Sequence, residues 1–267
     1  MKQAMLLAAG LGTRLRPLTD TMPKALVPVA GQPLLYHVLQ RLKAAGFQRV
    51  VVNVHHFGEQ IIDYLSANQG FGMDIRVSDE RGLLLDTGGG IRKAVPFFET
   101  DSPVFIHNVD ILSDLDINTF YDAFEQAGDI DAALVVSLRH SPRQLQFAPD
   151  THRLLGWQNT QTGELRGPIA EQLQGATVVP SDIAIPLAFA GIHLISPSLF
   201  PLMADYPEKF SIITFYLNIC GSYKLIGYEQ PNFRFMDAGK LDTLAAADTF
   251  LASIATINSH HSHSSHQ

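Results

Sequence analysis

Two glycines and three cationic side chains lie close together after the first apolar segment of the sequence. Gly10 and Gly12 have no side chain, so their backbone N–H groups are open to a ligand at close range. Arg14, Arg16 and Lys24 place positive charges along the same loop. Because free amides beside a group of cations are suited to phosphate groups, the loop is predicted to bind a polyphosphate.

The loop differs from two common phosphate-binding motifs. The dinucleotide-binding motif requires a third glycine three residues after the second, and this sequence has Leu15 there. The P-loop ends in Gly-Lys-Ser or Gly-Lys-Thr, and neither tripeptide occurs in the chain. Pro17 also pushes Arg16 toward extended backbone, so a long helix is not expected directly after the glycines. On the glycines alone, an ordinary turn with solvated arginines is the alternative interpretation.

Two acidic residues follow short apolar segments later in the sequence. Asp110 ends the segment Phe-Ile-His-Asn-Val-Asp, and Asp237 follows Arg-Phe-Met. Ligands of open parallel sheets bind beyond the carboxyl ends of the strands, where Asp110 is expected. Each residue could instead cap the turn or helix that follows it. Because Mg²⁺ prefers carboxylate oxygens together with substrate phosphates, we predict that Asp110 and Asp237 bind this metal.

A second glycine-rich segment reads Asp-Thr-Gly-Gly-Gly-Ile and contains Gly88, Gly89 and Gly90. Consecutive glycines destabilise a helix or strand, so they are expected where the backbone must be approached closely. We predict that they begin a helix whose N-terminal end forms one edge of a nucleotide site. A flexible loop is the alternative, since glycine runs are common in loops.

The first half of the chain alternates strand-like and helix-like segments. Most strand-like segments are continuous apolar runs, as expected where helices cover both faces of a parallel sheet. The pattern predicts a doubly wound α/β fold with a mostly parallel, Rossmann-like sheet. The predicted strands are residues 4–9, 49–54, 73–77, 103–107 and 132–137. The predicted helices are residues 34–45, 59–67, 91–98 and 118–126.

The second half is richer in strands. Polar, turn-rich pieces within residues 143–167 are followed by predicted strands at residues 186–195, 224–229 and 233–236 and a last helix at residues 240–254. Ser196 is expected to cap a helix that begins with Pro197. Because no linker, repeat or charge block separates the halves, we predict one domain over residues 1–256 with a β-rich extension of the same sheet. The Ser/His-rich residues 257–267 are predicted to form a disordered tail, with metal binding as the alternative.

The composition excludes several classes of protein. Nucleic-acid-binding proteins are usually basic, and the formal net charge of −7 argues against that class. A phosphate ligand must therefore be held by a local group of basic residues. No apolar run approaches the length of a membrane span, and a signal peptide is not expected. The single cysteine, Cys220, cannot form an intramolecular disulfide and is expected to be a buried thiol. These features are typical of a soluble cytoplasmic protein.

The segment from Gly10 to Lys24 resembles the signature of a known enzyme family. Its order, Gly-x-Gly-Thr-Arg-x-x-Pro-x-Thr-x-x-x-Pro-Lys, is similar to that of the sugar-1-phosphate nucleotidylyltransferases, which join a nucleoside triphosphate to a sugar 1-phosphate and release pyrophosphate. The resemblance extends over about residues 3–252 and is most specific over residues 8–24. It implies a GT-A-like nucleotidyltransferase fold, a sugar-binding extension and Mg²⁺ as cofactor.

The resemblance also implies roles for individual residues. Arg14, Lys24 and Asp110 are expected to be catalytic, with Arg14 on the triphosphate and the leaving pyrophosphate. The segments ending in Asp110 and Asp237 resemble the two metal-binding segments of the family, although Lys240 replaces a usual threonine in the second. Gly191 is expected to contact the sugar. The expected nucleotide-binding residues are Ala8, Ala9, Gly10, Leu11, Gly12, Thr13, Arg14, Lys24, Thr87, Gly88, Gly89 and Asn108.

One family segment, Glu-Lys-Pro with its sugar-phosphate lysine, is absent from the sequence. Its lysine could be replaced by one of four arginines, which are Arg139, Arg143, Arg153 and Arg166. Members that act on N-acetylmuramic acid 1-phosphate also lack a plain form of the segment, so uridylyl transfer to an amino-sugar or muramate-type 1-phosphate is expected. Guanylyl or thymidylyl transfer to a hexose 1-phosphate, cytidylyl transfer to a small phosphate, and a non-catalytic nucleotide-sugar-binding protein are the alternatives. The sequence does not indicate an oligomeric state, and His193 is expected to be a hydrogen-bonded core or edge histidine rather than a functional residue.

Overall fold

A ten-stranded sheet runs through the described part of the molecule. The computed structural model describes residues 1–173 and 178–261, with side chains up to residue 254. The strands of the described chain are β1 (Gln3–Leu7), β2 (Pro28–Val29), β3 (Gln32–Pro33), β4 (Arg49–Val54), β5 (Asp74–Asp79), β6 (Val104–Asn108), β7 (Ile111–Ser113), β8 (Ala132–Ser137), β9 (Arg143–Phe147), β10 (Leu154–Asn159), β11 (Leu165–Arg166), β12 (Ile185–Ile195), β13 (Leu225–Tyr228) and β14 (Phe235–Asp237).

Helices cover both faces of the sheet. The α-helices of the described residues are α1 (Leu34–Ala44), α2 (Gly58–Ala67), α3 (Asp86–Ala94), α4 (Ile117–Ala127), α5 (Pro168–Leu173), α6 (Ile212–Ile219) and α7 (Leu241–His261). Short 3₁₀ segments connect them, three of which lie between Thr13 and Leu26 in the loop after β1. In this part of the chain no helix combines the length and the apolarity needed to cross a bilayer.

The two faces of β1 show why its sequence is a continuous apolar run. Ala4 and Leu6 are buried in one hydrophobic cluster, against residues of α1, α2 and α4. Met5, between them, is buried in a second cluster with residues of α3 and α6. Because successive side chains of a strand point to opposite faces, both faces must be apolar when helices cover each side. The predicted doubly wound α/β fold is confirmed.

The strand order of the sheet is β11-β10-β9-β12-β6-β1-β4-β5, with β8 pairing with β12 and β13 pairing with β8. The main parallel part consists of β6, β1, β4 and β5, and β8 and β13 form a second parallel pair. The long strand β12 then pairs antiparallel with β6 at one end and with β9 at the other. β9, β10 and β11 continue the sheet as an antiparallel meander, which we call the β-rich extension. The second half therefore joins the same sheet, as the sequence predicts, with β12 as the connecting strand.

Several predicted boundaries move for identifiable reasons. β1 ends at Leu7 rather than at residue 9, because the N–H groups of Ala8 and Ala9 donate to the Asn53 side chain instead of a strand. The helix predicted over residues 91–98 is α3, which begins at Asp86 and already contains the three glycines. It ends at Ala94 because Pro96 has no N–H to continue it. The segment capped by Ser196 is a 3₁₀ helix, Pro197–Met203.

The last helix, α7, ends at His261, which lies within the predicted tail. Residues 262–267 of that tail are outside the described residues. The division into one domain over residues 1–256 and a tail stays a prediction.

Two buried histidines lie on the neighbouring strands β6 and β12, on opposite faces of the sheet, because His107 pairs with Ile192 rather than with His193. His107 and His193 are 2% and 1% exposed, and the hydroxyl group of Tyr216 lies 3.0 Å from Nδ1 of His193. Burial lowers the pKa of both to about 3, and the nearby Arg41 guanidinium adds to the effect at His107. Both are therefore neutral in the folded protein, and His193 is a core histidine, one of the two structural positions expected for it. Cys220 is 3% exposed, which confirms the expected buried thiol.

These histidines predict a loss of stability in acid. Because their pKa in the folded protein lies below the unfolded value of about 6.5, the free energy of unfolding is highest above that pH and falls as the pH drops toward 3. The slope is about 1.4 kcal/mol per pH unit for each histidine. Urea unfolding at pH 7, 6 and 5 checks this, with His193→Gln expected to show a smaller slope than the unmodified protein. An unchanged slope in the variant would contradict the assignment.

Candidate active site

The amides at the end of β1 are held by one buried side chain. Oδ1 of Asn53 accepts the N–H groups of Ala8 and Ala9 at 2.7 and 3.2 Å. Nδ2 of Asn53 donates to Oε1 of Glu80 at 2.7 Å. The predicted nucleotide-binding amides of Ala8 and Ala9 are thus paired within the protein, and the freely accessible part of the loop begins at Gly10.

The loop then folds back on itself at Gly12. This glycine has a φ of +66°, and a Cβ on it would lie 2.7 Å from Cγ2 of Thr19 and 3.1 Å from Cβ of Lys24. The hydroxyl group of Thr19 donates to the Gly12 carbonyl at 2.8 Å, which closes the turn. Only glycine combines this backbone conformation with the available space, because other residues rarely adopt a positive φ. The turn brings Arg14 and Lys24 to the same side of the loop.

Three charged groups converge at Gly239, just after β14. A Cβ on this glycine would stand 2.5 Å from Oδ2 of Asp110, 2.8 Å from Oδ1 of Asp237 and 2.9 Å from Nζ of Lys24. Lys24 forms an ion pair with Asp110, and the two side chains are only 13% and 9% exposed. The antiparallel pairing of Asp237 with Ile111 explains the convergence, since Ile111 follows Asp110 directly. The structure therefore brings together the two predicted metal ligands and one predicted catalytic cation.

Asp237 lies at the more open side of this group. Nη1 of Arg14 lies 3.4 Å from its Oδ2, and Arg14 is half exposed. Burial alone would raise the pKa of Asp237, but the Gly239 N–H and the positive charges of Arg14 and Lys24 hold it below its ordinary value. The carboxylate is ionised at neutral pH, as a metal ligand must be.

The donor set fits a hard divalent cation that is shared with a substrate. Asp110 and Asp237 supply carboxylate oxygens at one point, and Gly239 leaves that point free of a side chain. Within the described residues, no three acidic, histidine or cysteine side chains are grouped to hold a metal by themselves. Mg²⁺ keeps waters and uses one or two carboxylates plus substrate phosphates, so two carboxylates match its needs.

The three consecutive glycines of α3 have a packing role. The N–H groups of Gly88 and Gly89 both donate to the Phe210 carbonyl, at 2.9 and 3.1 Å. A Cβ on Gly88 would lie 2.3 Å from the Phe210 ring, and one on Gly89 would lie 2.4 Å from the Glu208 carbonyl oxygen. The close approach predicted for this backbone is real, but it is made by the protein. The amides of Gly88 and Gly89 are therefore not directed at a ligand.

Gly191 contacts the site from β12. Its φ is +78°, and a Cβ there would lie 2.6 Å from Nδ2 of Asn108. The strand register shifts between Phe189 and His193, as expected for an irregularity that contains a glycine with positive φ. Gly191 therefore lets β12 pass directly behind Asn108, at the carboxyl end of β6.

A cavity of about 370 Å³ is lined by many of the predicted site residues. The predicted residues that line it are Ala9, Gly10, Arg14, Lys24, Thr87, Asn108 and Asp110. The predicted residues outside its lining are Ala8, Leu11, Gly12, Thr13, Gly88, Gly89, Gly191 and Asp237. We call this cavity the nucleotide cavity, because several of the predicted nucleotide-binding residues line it.

Sequence reasoning missed part of the lining, notably Asn53, Glu80 and Lys209. Glu80 is 1% exposed, and burial raises its pKa against the opposing effect of its hydrogen bonds with Asn53 and the Leu85 N–H. Asn53 could have been found, because it is a polar residue near the carboxyl end of a strand that is otherwise apolar after Arg49. Lys209 adds a cation from the segment before α6.

The four arginines that could replace the lysine of the absent Glu-Lys-Pro segment lie at different places in the structure. The Arg139 guanidinium lies 4.6 Å from the ring centre of Phe235, which is close to Asp237 on β14. Arg153 immediately precedes β10, and its guanidinium lies 3.5 Å from the Tyr223 carbonyl oxygen. Arg143 and Arg166 line a different cavity, between the β-rich extension and α6.

Comparison with known proteins identifies the group to which this chain belongs. Residues 3–145 match the family model described as nucleotidyl transferase. The N-acetylmuramate alpha-1-phosphate uridylyltransferase of Caulobacter vibrioides is 34% identical over 257 residues, covering 94% of this chain and 97% of that protein. The protein of the same name from Neisseria meningitidis serogroup B is 44% identical over 128 residues, covering 48% of this chain and 54% of that protein.

A solved structure shows the same fold. HddC from Yersinia pseudotuberculosis, complexed with GMP-PN, superposes with a TM-score of 0.70 at 22% identity, covering 94% of this chain and 100% of that one. The expected nucleotidyltransferase fold is thereby confirmed. Since the family match spans more than half of the chain and a relative aligns along nearly its whole length, the chain belongs to the nucleotidyl transferase family and is a sugar-1-phosphate nucleotidyltransferase.

Proposed function

We propose that the protein transfers a uridylyl group from UTP to the 1-phosphate of an amino sugar of the N-acetylmuramate type, with Mg²⁺ as cofactor. The observation that carries this proposal is the convergence of Asp110, Asp237 and Lys24 at one point, with Arg14 beside it. The choice of base and sugar is supported by the names of the two uridylyltransferase relatives. The products are a UDP-sugar, used as a cell-wall or polysaccharide precursor, and pyrophosphate.

The reaction is an in-line substitution at phosphorus. An oxygen of the sugar phosphate forms a new bond to the α-phosphorus, and the bond from that phosphorus to the oxygen bridging to the β-phosphate breaks. The attacking oxygen is already an anion near neutral pH, so no general base is needed. Catalysis then depends on positioning and on the stabilisation of charge.

The residues of the chain divide this work between them. The glycine loop from Gly10 holds the nucleotide, and Arg14 and Lys24 neutralise its phosphates and the departing pyrophosphate. Asp110 and Asp237 hold Mg²⁺, which would supply Lewis-acid stabilisation of the phosphate oxygens. Asn108 contributes to the nucleotide cavity at the end of β6, and Gly191, packed against it, contacts the sugar.

The partners proposed for the protein are therefore its two small-molecule substrates. Nucleic acid is not proposed as a partner, because the formal net charge of −7 offers no broad basic surface. A cytoplasmic location is proposed, because nucleoside triphosphates are supplied there and the one cysteine cannot form an intramolecular disulfide.

A pyrophosphate-release screen tests the proposal. Each nucleoside triphosphate is combined with N-acetylmuramate, N-acetylglucosamine, glucose and mannose 1-phosphates, with Mg²⁺ or with EDTA. The expected result is release that requires Mg²⁺ and is fastest with UTP and N-acetylmuramate 1-phosphate. Faster release with GTP and mannose 1-phosphate would favour guanylyl transfer, which the mannose-1-phosphate guanyltransferase of Yarrowia lipolytica, 26% identical over 96% of this chain, makes the second candidate. Binding of a UDP-sugar without any release would indicate a non-catalytic protein.

A further inference from the structure

A second cavity, of about 500 Å³, lies between the β-rich extension and α6, and we call it the extension cavity. Strand register places its charged and aromatic lining on one face of the sheet. Leu145 pairs with Trp157, and Trp157 pairs with Arg166 on the next strand. Arg143 lies two residues before Leu145, so its side chain is on the same face.

The linings of the two cavities come within two residues of each other along the segment that leads into α6. Lys209 lines the nucleotide cavity, while Ser211 and Thr214 line the extension cavity. The Thr87 hydroxyl, at the edge of the nucleotide cavity, accepts the N–H of Ile212 at 2.9 Å. β12 connects the cavities as well, because it contributes Phe189 to one and places Gly191 against Asn108 of the other. A sugar attached to a phosphate near Asn108 would therefore extend toward the extension cavity.

The charges in the extension cavity are not balanced. Arg166 is engaged by Glu164, with Nη2 at 2.7 Å, and its guanidinium lies 4.8 Å from the ring centre of Trp157. Arg143 also lines the cavity, and among the described residues no side chain pairs with its guanidinium. One positive charge beside an aromatic ring and polar groups is suited to an anionic sugar, since guanidinium binds carboxylate in a bidentate manner.

We propose that the extension cavity binds the sugar ring of an acidic sugar 1-phosphate and that Arg143 pairs with the carboxylate of that sugar. This inference rests on the proposed transfer reaction and deepens it, because it makes Arg143 a specificity-determining residue. N-acetylmuramate differs from N-acetylglucosamine by a lactyl ether that carries a carboxylate. Arg143 therefore selects the acidic sugar over its neutral counterpart.

The test compares these two sugar 1-phosphates as substrates with UTP. For Arg143→Gln, kcat/KM for N-acetylmuramate 1-phosphate is expected to fall roughly 10- to 100-fold, the effect of losing a hydrogen bond to a charged group. The value for N-acetylglucosamine 1-phosphate should change little. Arg143→Lys should restore part of the preference, because it keeps the charge. Arg153→Gln is the matched control, since Arg153 is on the same extension but points toward the Tyr223 carbonyl.

A second variant tests the cavity itself. Thr214 is exposed and lines the extension cavity, so Thr214→Trp fills space there without disturbing the core. The KM for both sugars should rise, while the KM for UTP stays the same. Two results for Arg143→Gln would overturn the inference: an equal loss of kcat/KM with both sugar 1-phosphates, or an unchanged ratio of the two kcat/KM values. Neither result would contradict the proposed transfer reaction. Absence of pyrophosphate release by the unmodified protein with every sugar would overturn the proposed function and the inference together.

Discussion

Asp110→Asn is expected to lower kcat/KM for pyrophosphate release by roughly 10²–10³-fold, the usual effect of removing one charge-stabilising group. Asparagine keeps the size of the side chain and can still accept a hydrogen bond from Lys24. It removes one of the two negative charges that converge at Gly239. The Mg²⁺ concentration that gives half-maximal activity should therefore rise, and pyrophosphate release measured against Mg²⁺ concentration shows both effects.

The control for this variant is Asp242→Asn. Asp242 is an exposed carboxylate at the start of α7, and its side chain accepts only the N–H of Thr243, at 2.9 Å, among the contacts described. This change should leave the activity and the Mg²⁺ dependence unaltered. Urea unfolding checks that Asp110→Asn is folded under the assay conditions, because loss of the buried ion pair with Lys24 lowers the free energy of unfolding. Full activity at ordinary Mg²⁺ concentration in Asp110→Asn would show that the convergent carboxylates are not the metal site.

The sequence predicts this part of the site because local spacing determines it. The glycines, Arg14 and Lys24 lie in one loop, whose turn at Gly12 is closed by Thr19 within the same segment. Asp110 lies two residues after the end of β6, and the position of such a residue beyond a parallel sheet follows from general topology. The apolar runs of β1 and β4 likewise identify them as central strands, since both of their faces are covered.

The remaining parts depend on contacts between distant segments. The glycines of α3 are required by Phe210 and by the Glu208 carbonyl, and nothing near α3 in the sequence indicates that approach. Asn53 reaches Glu80 only because β4 and β5 pair in one register, which places the end of each strand side by side. A single sequence shows the polar residue in the strand but not its partner.

Asn53→Leu is expected to destabilise the fold by roughly 3–5 kcal/mol, because leaving a buried donor or acceptor unpaired costs about 1–3 kcal/mol. Asn53 is 2% exposed, and its side chain forms hydrogen bonds with three groups, the N–H groups of Ala8 and Ala9 and the carboxylate of Glu80. Leucine has nearly the same shape, but it leaves the N–H groups of Ala8 and Ala9 without an acceptor. Oε1 of Glu80 loses its donor as well. Urea unfolding of the variant at pH 7 measures the loss.

The same change should affect catalysis, and this separates a positioning role from a purely structural one. With the end of β1 no longer held, the glycine loop loses its anchor, so the KM for UTP should rise at temperatures where the variant is still folded. Asn118→Ala is the matched control, since Asn118 is exposed and accepts only Lys2 among its described contacts. A stable Asn53→Leu protein with an unchanged KM for UTP would show that the loop holds its shape without Asn53. The glycine loop would then have to be shaped by the turn at Gly12 alone.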